Sequence, residues 1–206
     1  MAEPSRREEY AQATRAAIVA AAVSCFAAEG YARTSIDAVA EAARVTKGGV
    51  YHHFQDKAAL FEAAVVVMED RLLAAIQARV EGLDGWELVA AGIDTYLEAC
   101  GEEDFRRIAL EDAPSALGWE RWKALDEQYF LGTATALLVG LRDAGLIAVE
   151  DPGLAARLLL GALAEAGLAV ATASDRPRAR AAAAALVTSF LRSLEVPALG
   201  DDGVRT

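Results

Sequence analysis

Residues 34–60 read TSIDAVAEAARVTKGGVYHHFQDKAAL and hold two short helical patterns separated by a brief turn. Thr34 or Ser35 can cap the first pattern, which extends to about Ala43, and the second covers about 46–54. Helices this short have little core of their own, so both must dock on the preceding helix. The stretch therefore predicts a three-helix head built around a helix-turn-helix.

The second short helix has the residue types that a DNA-reading helix needs. In a helix-turn-helix the second helix enters the major groove while the first crosses the phosphate backbone. Two adjacent glycines in this helix each cost about 1 kcal/mol relative to alanine, which a close approach of the backbone to another surface would explain. The residues predicted to contact DNA are Thr34, Ser35, Arg44, Thr46, Lys47, Gly48, Gly49, Tyr51, His52 and Lys57.

The same stretch resembles the TetR/AcrR family of transcriptional regulators. The resemblance rests on the pair Thr34-Ser35, on TKGGVYHHF at 46–54 and on DKAAL at 56–60, and it covers about residues 10–60. It implies a homodimeric repressor whose two heads read a palindromic operator on double-stranded DNA. It also implies a helical C-terminal part that dimerises and binds a small-molecule effector of unknown identity, after which the protein leaves the DNA.

One position departs from the family pattern. The family usually has glycine in the turn two residues before the threonine of TKG, and here that residue is Arg44. If this position has a positive φ, arginine is strained where glycine would not be. Either the turn differs or the strain is tolerated, and the added cation near the DNA backbone can offset it.

Helix-forming residues dominate the rest of the chain, and strand-like alternation never extends beyond a few residues. The predicted fold class is all-α, with about nine helices. We expect a helix-turn-helix DNA-binding domain over 1–57, a helical effector-binding and dimerisation domain over 58–196, and a flexible tail over 197–206. Charge supports this division, because residues 1–57 have seven basic and seven acidic side chains and the rest carries the whole net charge of −11.

Glycine, proline and capping residues mark the expected helix ends. The first helix is predicted over about 8–29 with Gly30 as its stop, and Asp56 is expected to cap a long helix over about 57–80. Breaks between the later helices are expected at Pro114, Gly145, Pro152 and residues 174–177, with Pro177 in the first turn of the last helix.

Composition excludes several protein classes. Apolar residues make up 54% of the chain, which excludes a disordered protein and suggests apolar surface shared with a partner. Cys25 and Cys100 are too few and too far apart for a disulfide framework or a CxxC metal site. The longest run without charge has 14 residues, at 128–141, and the charged N-terminus lacks an apolar segment. We therefore expect a cytoplasmic protein without a membrane span.

Two further sites are predicted in the C-terminal part. Aromatic rings commonly wall ligand pockets, although they can equally pack between helices; the candidates are Tyr96, Phe105, Arg106, Trp119, Trp122, Tyr129 and Phe130. Small residues in the last two helices favour a four-helix bundle formed by two subunits, with burial inside one subunit as the alternative. The predicted dimer interface contains Leu158, Gly161, Ala162, Glu165, Leu186 and Phe190.

No metal, cofactor or catalytic residue is predicted. His52 and His53 are adjacent, so their side chains diverge by about 100° on a helix and do not suit one metal ion. We expect His52 to face DNA and His53 to pack against the head, unless both are solvated. Two other functions stay open: an all-helical small-molecule carrier or enzyme with a vestigial DNA-binding head, and an architectural DNA binder that has neither sequence preference nor ligand.

Overall fold

The computed structural model describes residues 5–196, and this part of the chain forms nine helices when residues 103–117 are taken as one irregular helix. Its single isolated β-bridge pairs Ile147 with Glu195. The all-α prediction is confirmed, while the predicted tail at 197–206 lies outside the described residues. The helices are α1 Arg6–Arg33, α2 Ile36–Ala42, α3 Lys47–His53, α4 Lys57–Val80, α5 Gly85–Ala99, α6 103–117, α7 Trp119–Asp143, α8 Pro152–Thr172 and α9 Arg176–Arg192.

Short-range caps explain where the head helices begin. The side chains of Ser35, Thr46 and Asp56 each accept a hydrogen bond from the backbone N–H three residues later, at 3.1, 3.0 and 2.7 Å. Each bond satisfies one of the N–H groups that a helix start leaves without a partner. Gly30 interrupts α1 with φ 78°, as its predicted role as a stop requires, and a single further turn follows it.

The head and the long helix α4 share one apolar core. Ile18 and Phe26 of α1 are fully buried, as are Leu60 and Phe61 of α4. The rings of Phe26 and Phe61 meet edge to face with their centroids 4.9 Å apart, a favoured aromatic geometry. A second core lies farther along, where α5, α7, α8 and α9 pack around Leu97, Leu138 and other apolar side chains.

Helix α6 is irregular. Its middle part, Arg106–Asp112, is π-helical, and the helix then continues to Leu117 and stops at Gly118, whose φ is 84°. The break predicted at Pro114 is therefore wrong. Pro114 lies in the first turn of the segment that follows the π-helical part, where a residue without an N–H is tolerated.

Two helices, α1 and α8, are long and apolar enough to cross a bilayer by length and composition alone. The sequence prediction of no membrane span rested on charge-free runs, whereas each of these helices contains an apolar window of 18 residues that tolerates up to two charges. Both helices contribute to the protein core: Ile18 and Phe26 from α1, and Leu159 and Val170 from α8, are buried. Packing inside the fold accounts for part of their apolar composition, since 28% of each apolar window is buried.

Candidate nucleic-acid interface and effector cavity

The turn between α2 and α3 has a left-handed residue at Arg44, with φ 58°. The N–H of Arg44 donates to the Glu41 carbonyl at 3.0 Å, and that of Val45 donates to the Ala40 carbonyl at 3.0 Å. The turn thus keeps the conformation that glycine would favour, and arginine adopts it despite the strain. The Arg44 side chain is exposed beside α3.

The outer face of α3 is open to solvent. Lys47, Gly48, Tyr51 and His52 are exposed, whereas Val50 is fully buried and anchors the helix to the head. A face with one buried anchor and a row of exposed polar residues suits insertion into a groove. The structure thus brings the predicted α3 residues together on one surface.

Neither glycine of α3 is required by packing inside the protein. A Cβ added at Gly48 would meet only Thr46 Oγ1, at 3.8 Å, and one at Gly49 would make ordinary contacts of 3.4 Å or longer. Both residues have ordinary helical backbone angles. The space over α3 is therefore left free for something outside the chain.

Lys47 is held by an acidic neighbour in the isolated chain. Its Nζ lies 2.8 Å from Asp37 Oδ2 on α2, and both side chains are largely exposed. This hydrogen bond and the charge of Asp37 raise the pKa of Lys47 above its ordinary value. To bind a DNA phosphate, Lys47 must therefore break its ion pair with Asp37.

Three other residues that were predicted to contact DNA form hydrogen bonds within the chain. Ser35 caps α2 and is exposed, so its hydroxyl hydrogen is still available. Lys57 Nζ donates to the Ala32 carbonyl at 3.2 Å and lies 4.5 Å from the centre of the Tyr31 ring. Thr34 corrects the prediction: it is buried, and its hydroxyl lies 2.8 Å from the Gly30 carbonyl. Thr34 therefore secures the end of α1 and does not face DNA.

The two histidines differ in exposure. His52 is exposed and His53 is half-buried, and their ring centres are 5.2 Å apart. Within residues 5–196, no three His, Cys, Asp or Glu side chains are close enough to hold a metal ion.

Comparison with known proteins identifies this arrangement. Residues 18–64 match the family model described as "Bacterial regulatory proteins, tetR family", and residues 86–194, more than half of the chain, match "Tetracyclin repressor-like, C-terminal domain". The chain belongs to the TetR family. It is accordingly a DNA-binding transcriptional regulator with a helix-turn-helix head.

Relatives from this family cover almost the whole chain. A TetR-family transcriptional regulator of known structure from Pectobacterium atrosepticum is 32% identical, with a TM-score of 0.81 over 94% of this chain and 98% of its own. The HTH-type transcriptional repressor Rv1474c of Mycobacterium tuberculosis is 27% identical over 92% of this chain and 98% of its own. The structure of the SmeT–triclosan complex is 25% identical, with a TM-score of 0.64 over 86% of this chain and 91% of its own.

Helices α4, α5, α7, α8 and α9 of this TetR-family protein enclose an apolar cavity of about 140 Å³. Of the predicted pocket residues, Tyr96 and Phe130 line it. Sequence reasoning missed most of its wall, which consists of aliphatic side chains from five helices. The remaining lining residues are Ile76, Val80, Leu88, Val89, Gly92, Ile93, Asp126, Thr133, Ala134, Leu137, Leu159, Leu160, Leu163 and Leu191.

A second, more polar cavity of about 270 Å³ adjoins the first, and the two share Asp126 and Leu160. Trp119 and Trp122 line this outer cavity, with ring centres 4.9 Å apart. The indole N–H of Trp122 donates to the Ala109 carbonyl at 2.9 Å, so this ring is fixed in place. The two tryptophans thus line the outer cavity and not the apolar cavity.

Three predicted pocket residues do not line either cavity. Phe105 is buried in the core and borders a different depression beside α4. Arg106 pairs with Glu111, and its Nε is buried without a hydrogen-bond partner. Tyr129 packs against the core, where burial and then the charge of Asp70 raise its phenol pKa. These three predictions are corrected, because turns of α6 and α7 aim the side chains away from the cavity.

Tyr96, which lines the apolar cavity, and Cys100 both pack against Gly167 of α8. Burial raises the pKa of Tyr96, and burial is also the main reason that the pKa of Cys100 rises to about 12. Gly167 of α8 lies against both: an added Cβ would be 2.8 Å from Cys100 Sγ and 3.0 Å from the Tyr96 hydroxyl. Gly167 therefore serves packing within the subunit.

The predicted dimer residues lie along α8 and α9. Leu158, Leu186 and Phe190 are 57%, 72% and 37% exposed, and Leu154, which the prediction missed, is 56% exposed. Gly161 and Glu165 are exposed and Ala162 is half-buried. The isolated chain thus presents large apolar side chains on the two helices where an interface was predicted.

Proposed function

We propose that the protein is a homodimeric repressor that leaves a palindromic operator when a small molecule enters its C-terminal cavities. The observation that carries this proposal is that α4 extends from the core of the head to the apolar cavity. Leu60 and Phe61 near its start are buried in the core of the head, and Ile76 and Val80 near its end line the apolar cavity. A ligand that displaces the second pair therefore acts on the first through one continuous helix, about 26 Å away.

The DNA-reading surface in this proposal is the exposed face of α3 with the adjoining turn. Arg44, Lys47, Tyr51 and His52 supply side chains, and the bare backbone at Gly48 allows close approach. Ser35 and Lys57 flank this face and can contact phosphates. Action on DNA places the proposed role in the cytoplasm, and no catalytic step is part of it.

The dimer in this proposal uses the exposed apolar face of α8 and α9. Two-fold symmetry would place two heads on two half-sites, so the operator would be palindromic. We retain the division into a DNA-binding domain over 1–57 and an effector-binding and dimerisation domain over 58–196. The shared core of α1 and α4 supports mechanical coupling across that boundary.

Selection of DNA from a random-sequence pool by the purified protein tests the proposal. We expect an enriched palindrome, and loss of enrichment when Lys47 and Tyr51 are both replaced by alanine. Light scattering should show a dimer for the wild type and a monomer for Leu158→Asp with Leu186→Asp. DNA retained without enrichment would indicate an architectural binder. No retention at low salt would favour a carrier or enzyme with a vestigial head.

A further inference from the structure

The apolar cavity contains one ionisable carboxyl group. Asp126 is the acidic residue of a lining that is otherwise aliphatic or aromatic, apart from the hydroxyls of Tyr96 and Thr133. Asp126 also lines the outer cavity, so its carboxyl lies where the two cavities meet. A ligand that extends through both would have to pass this group.

Asp126 differs from the neighbouring residue Glu127 in its ionic partners. Glu127 Oε2 lies 2.7 Å from the Arg157 guanidinium, and Glu127 Oε1 lies 4.0 Å from Lys123 Nζ. Asp126 has no hydrogen bond or ion pair within residues 5–196, although the charge of Lys123 acts on it at longer range. The two basic side chains of the outer cavity, Lys123 and Arg157, thus pair with Glu127, and neither forms an ion pair with Asp126.

A second carboxyl without an ionic partner belongs to Glu69, which lines neither cavity. Glu69 of α4 is only 5% exposed, and within the described residues it has neither a hydrogen bond nor an ion pair. Glu69 shares its helix face with Ile76 and Val80, which line the cavity, since 69, 76 and 80 are two and three turns apart. Burial and then the charge of Asp126 raise the pKa of Glu69 to about 8. Burial is also the main reason that the pKa of Asp126 rises to about 6.

Glu69 is buried and Asp126 is half-buried, and neither forms an ion pair within residues 5–196. This is unfavourable, because burial of a charge is costly unless it is paired. A positively charged ligand group would supply the missing partner through a charge-assisted hydrogen bond or an ion pair. The faces of Trp119 and Trp122 in the outer cavity add attraction for a cation. An anionic ligand would meet repulsion at the same place.

We propose that the effector is an amphipathic cation, with its apolar body in the inner cavity and its positively charged nitrogen beside Asp126, where the two cavities meet. This inference rests on the proposed function, since it names the chemical class of ligand for the same cavities. The inner cavity is close in volume to one that accommodates a single aromatic ring, about 150 Å³. A ring of that size with a charged nitrogen at one end therefore matches both the space and the charge.

Two probes of equal shape distinguish the effect of the ligand's charge from the effect of its steric fit in the cavity. Phenyltrimethylammonium is a permanent cation, and tert-butylbenzene is its neutral isostere. Each is titrated into the full-length protein, with tryptophan fluorescence and the midpoint of thermal unfolding as readouts. At pH 8 we expect the cation to bind at least tenfold more tightly than the neutral probe. We expect Asp126→Asn to abolish this preference while the neutral probe still binds. The matched control is Glu120→Gln, an exposed acid on the same helix outside both cavities.

The pH dependence gives an independent readout, because the charge of the probe does not change. Binding of the cation should strengthen at least threefold between pH 5.5 and pH 8.5 as Asp126 and then Glu69 ionise. The other groups whose charges act on this pair are Asp70, Tyr96, Cys100, Lys123, Glu127 and Tyr129. Burial keeps Tyr96 and Cys100 neutral over this range. In Asp126→Asn most of the pH dependence should be lost.

Equal or tighter binding of the neutral probe would overturn the proposal, as would a cation preference that survives in Asp126→Asn. Failure of both probes to bind at millimolar concentration would also overturn it. DNA retention by the same preparation is measured separately. If the protein retains DNA but shows no preference for the cation, the proposed regulatory function stands and the proposed ligand class is wrong. If it prefers the cation but does not retain DNA, the ligand class stands and the proposed function is wrong.

Discussion

The backbone N–H of Tyr31 donates to Asp112 Oδ2 across 2.7 Å and thereby joins the head to α6. Tyr31 follows Gly30, where α1 is interrupted, and Asp112 is the last residue of the π-helical segment. Gly30 is needed at this point, because with φ 78° an added Cβ would lie 3.2 Å from both Arg107 Nε and Asp112 Oδ2. The interrupted end of α1 is thus held by the irregular part of α6, so a shift of α6 reaches the head directly.

Replacement of Asp112 should loosen this junction. Asp112→Ala leaves the Tyr31 N–H without its charged acceptor, and we expect the free energy of unfolding to fall by about 1.5 to 3 kcal/mol. Asp112→Asn keeps an acceptor oxygen and should lose less than half of that. Urea unfolding of the two variants measures the difference. Equal losses for both variants would mean that the hydrogen bond does not hold the junction.

Gly48→Ala should increase the stability of the fold and weaken DNA binding. Alanine stabilises a helix by about 1 kcal/mol relative to glycine, and the site has room for the added methyl group. The midpoint of thermal unfolding should therefore rise while operator affinity falls at least tenfold. Gly132→Ala is the matched control, because Gly132 is also exposed, lies within α7 and has no neighbour within 4 Å of an added Cβ. It should raise stability and leave DNA binding unchanged.

The Lys47–Asp37 pair should weaken DNA binding in the wild type. Asp37→Asn frees Lys47 and removes a negative charge from the DNA-facing side, so operator affinity should rise several-fold. Lys47→Ala should lower affinity and reduce the slope of log K against log salt by about 0.9, the value for one phosphate contact. Fluorescence anisotropy over a salt series measures both effects. An unchanged slope in Lys47→Ala would exclude a phosphate contact by this side chain.

Gly167→Ala should destabilise the packing of α8 on α5. The added methyl group would be 2.8 Å from Cys100 Sγ, and overpacking of this kind typically costs about 1 to 3 kcal/mol. The double variant Cys100→Ala with Gly167→Ala should lose less stability than the sum of the single variants, since the collision is relieved. Gly140→Ala, which has open space around it, serves as the control for the substitution itself. Additive losses in the double variant would contradict the contact.

Glu69 should make stability fall as pH rises. Its folded pKa is about 8 and its ordinary value is 4.5, so the folded state retains a proton that the unfolded state has lost between these values. The contribution is fully present below pH 4.5 and is lost as pH rises toward 8. Glu69→Gln should remove this contribution, so that only the smaller one from Asp126 remains below about pH 6, and raise the free energy of unfolding at pH 8 by about 2 to 4 kcal/mol. Asp70→Asn, at the exposed neighbouring position, should change the slope much less. An unaltered slope in Glu69→Gln would place the pH dependence elsewhere.

The head could be predicted in detail because its signals are local. Ser35, Thr46 and Asp56 each bond to a backbone N–H three residues away. Because such caps are local, the sequence predicted one at Thr34 or Ser35 and one at Asp56. The hydrophobic period similarly identifies the buried face of α4. The side chains of α3 that face outward follow from the same period once Val50 is assigned to the core.

The amino-acid sequence by itself thus determined the all-α class, the helix-turn-helix and the family, since these depend on spacing within one or two turns. Only the tertiary structure decided that Thr34 is buried, that Lys47 pairs with Asp37, and that Asp126 rather than Arg106 faces the cavities. Each of these outcomes depends on how helices far apart in the chain cross and rotate. A helix pattern defines which side chains share a face, but the partner of that face is set by packing over the whole fold.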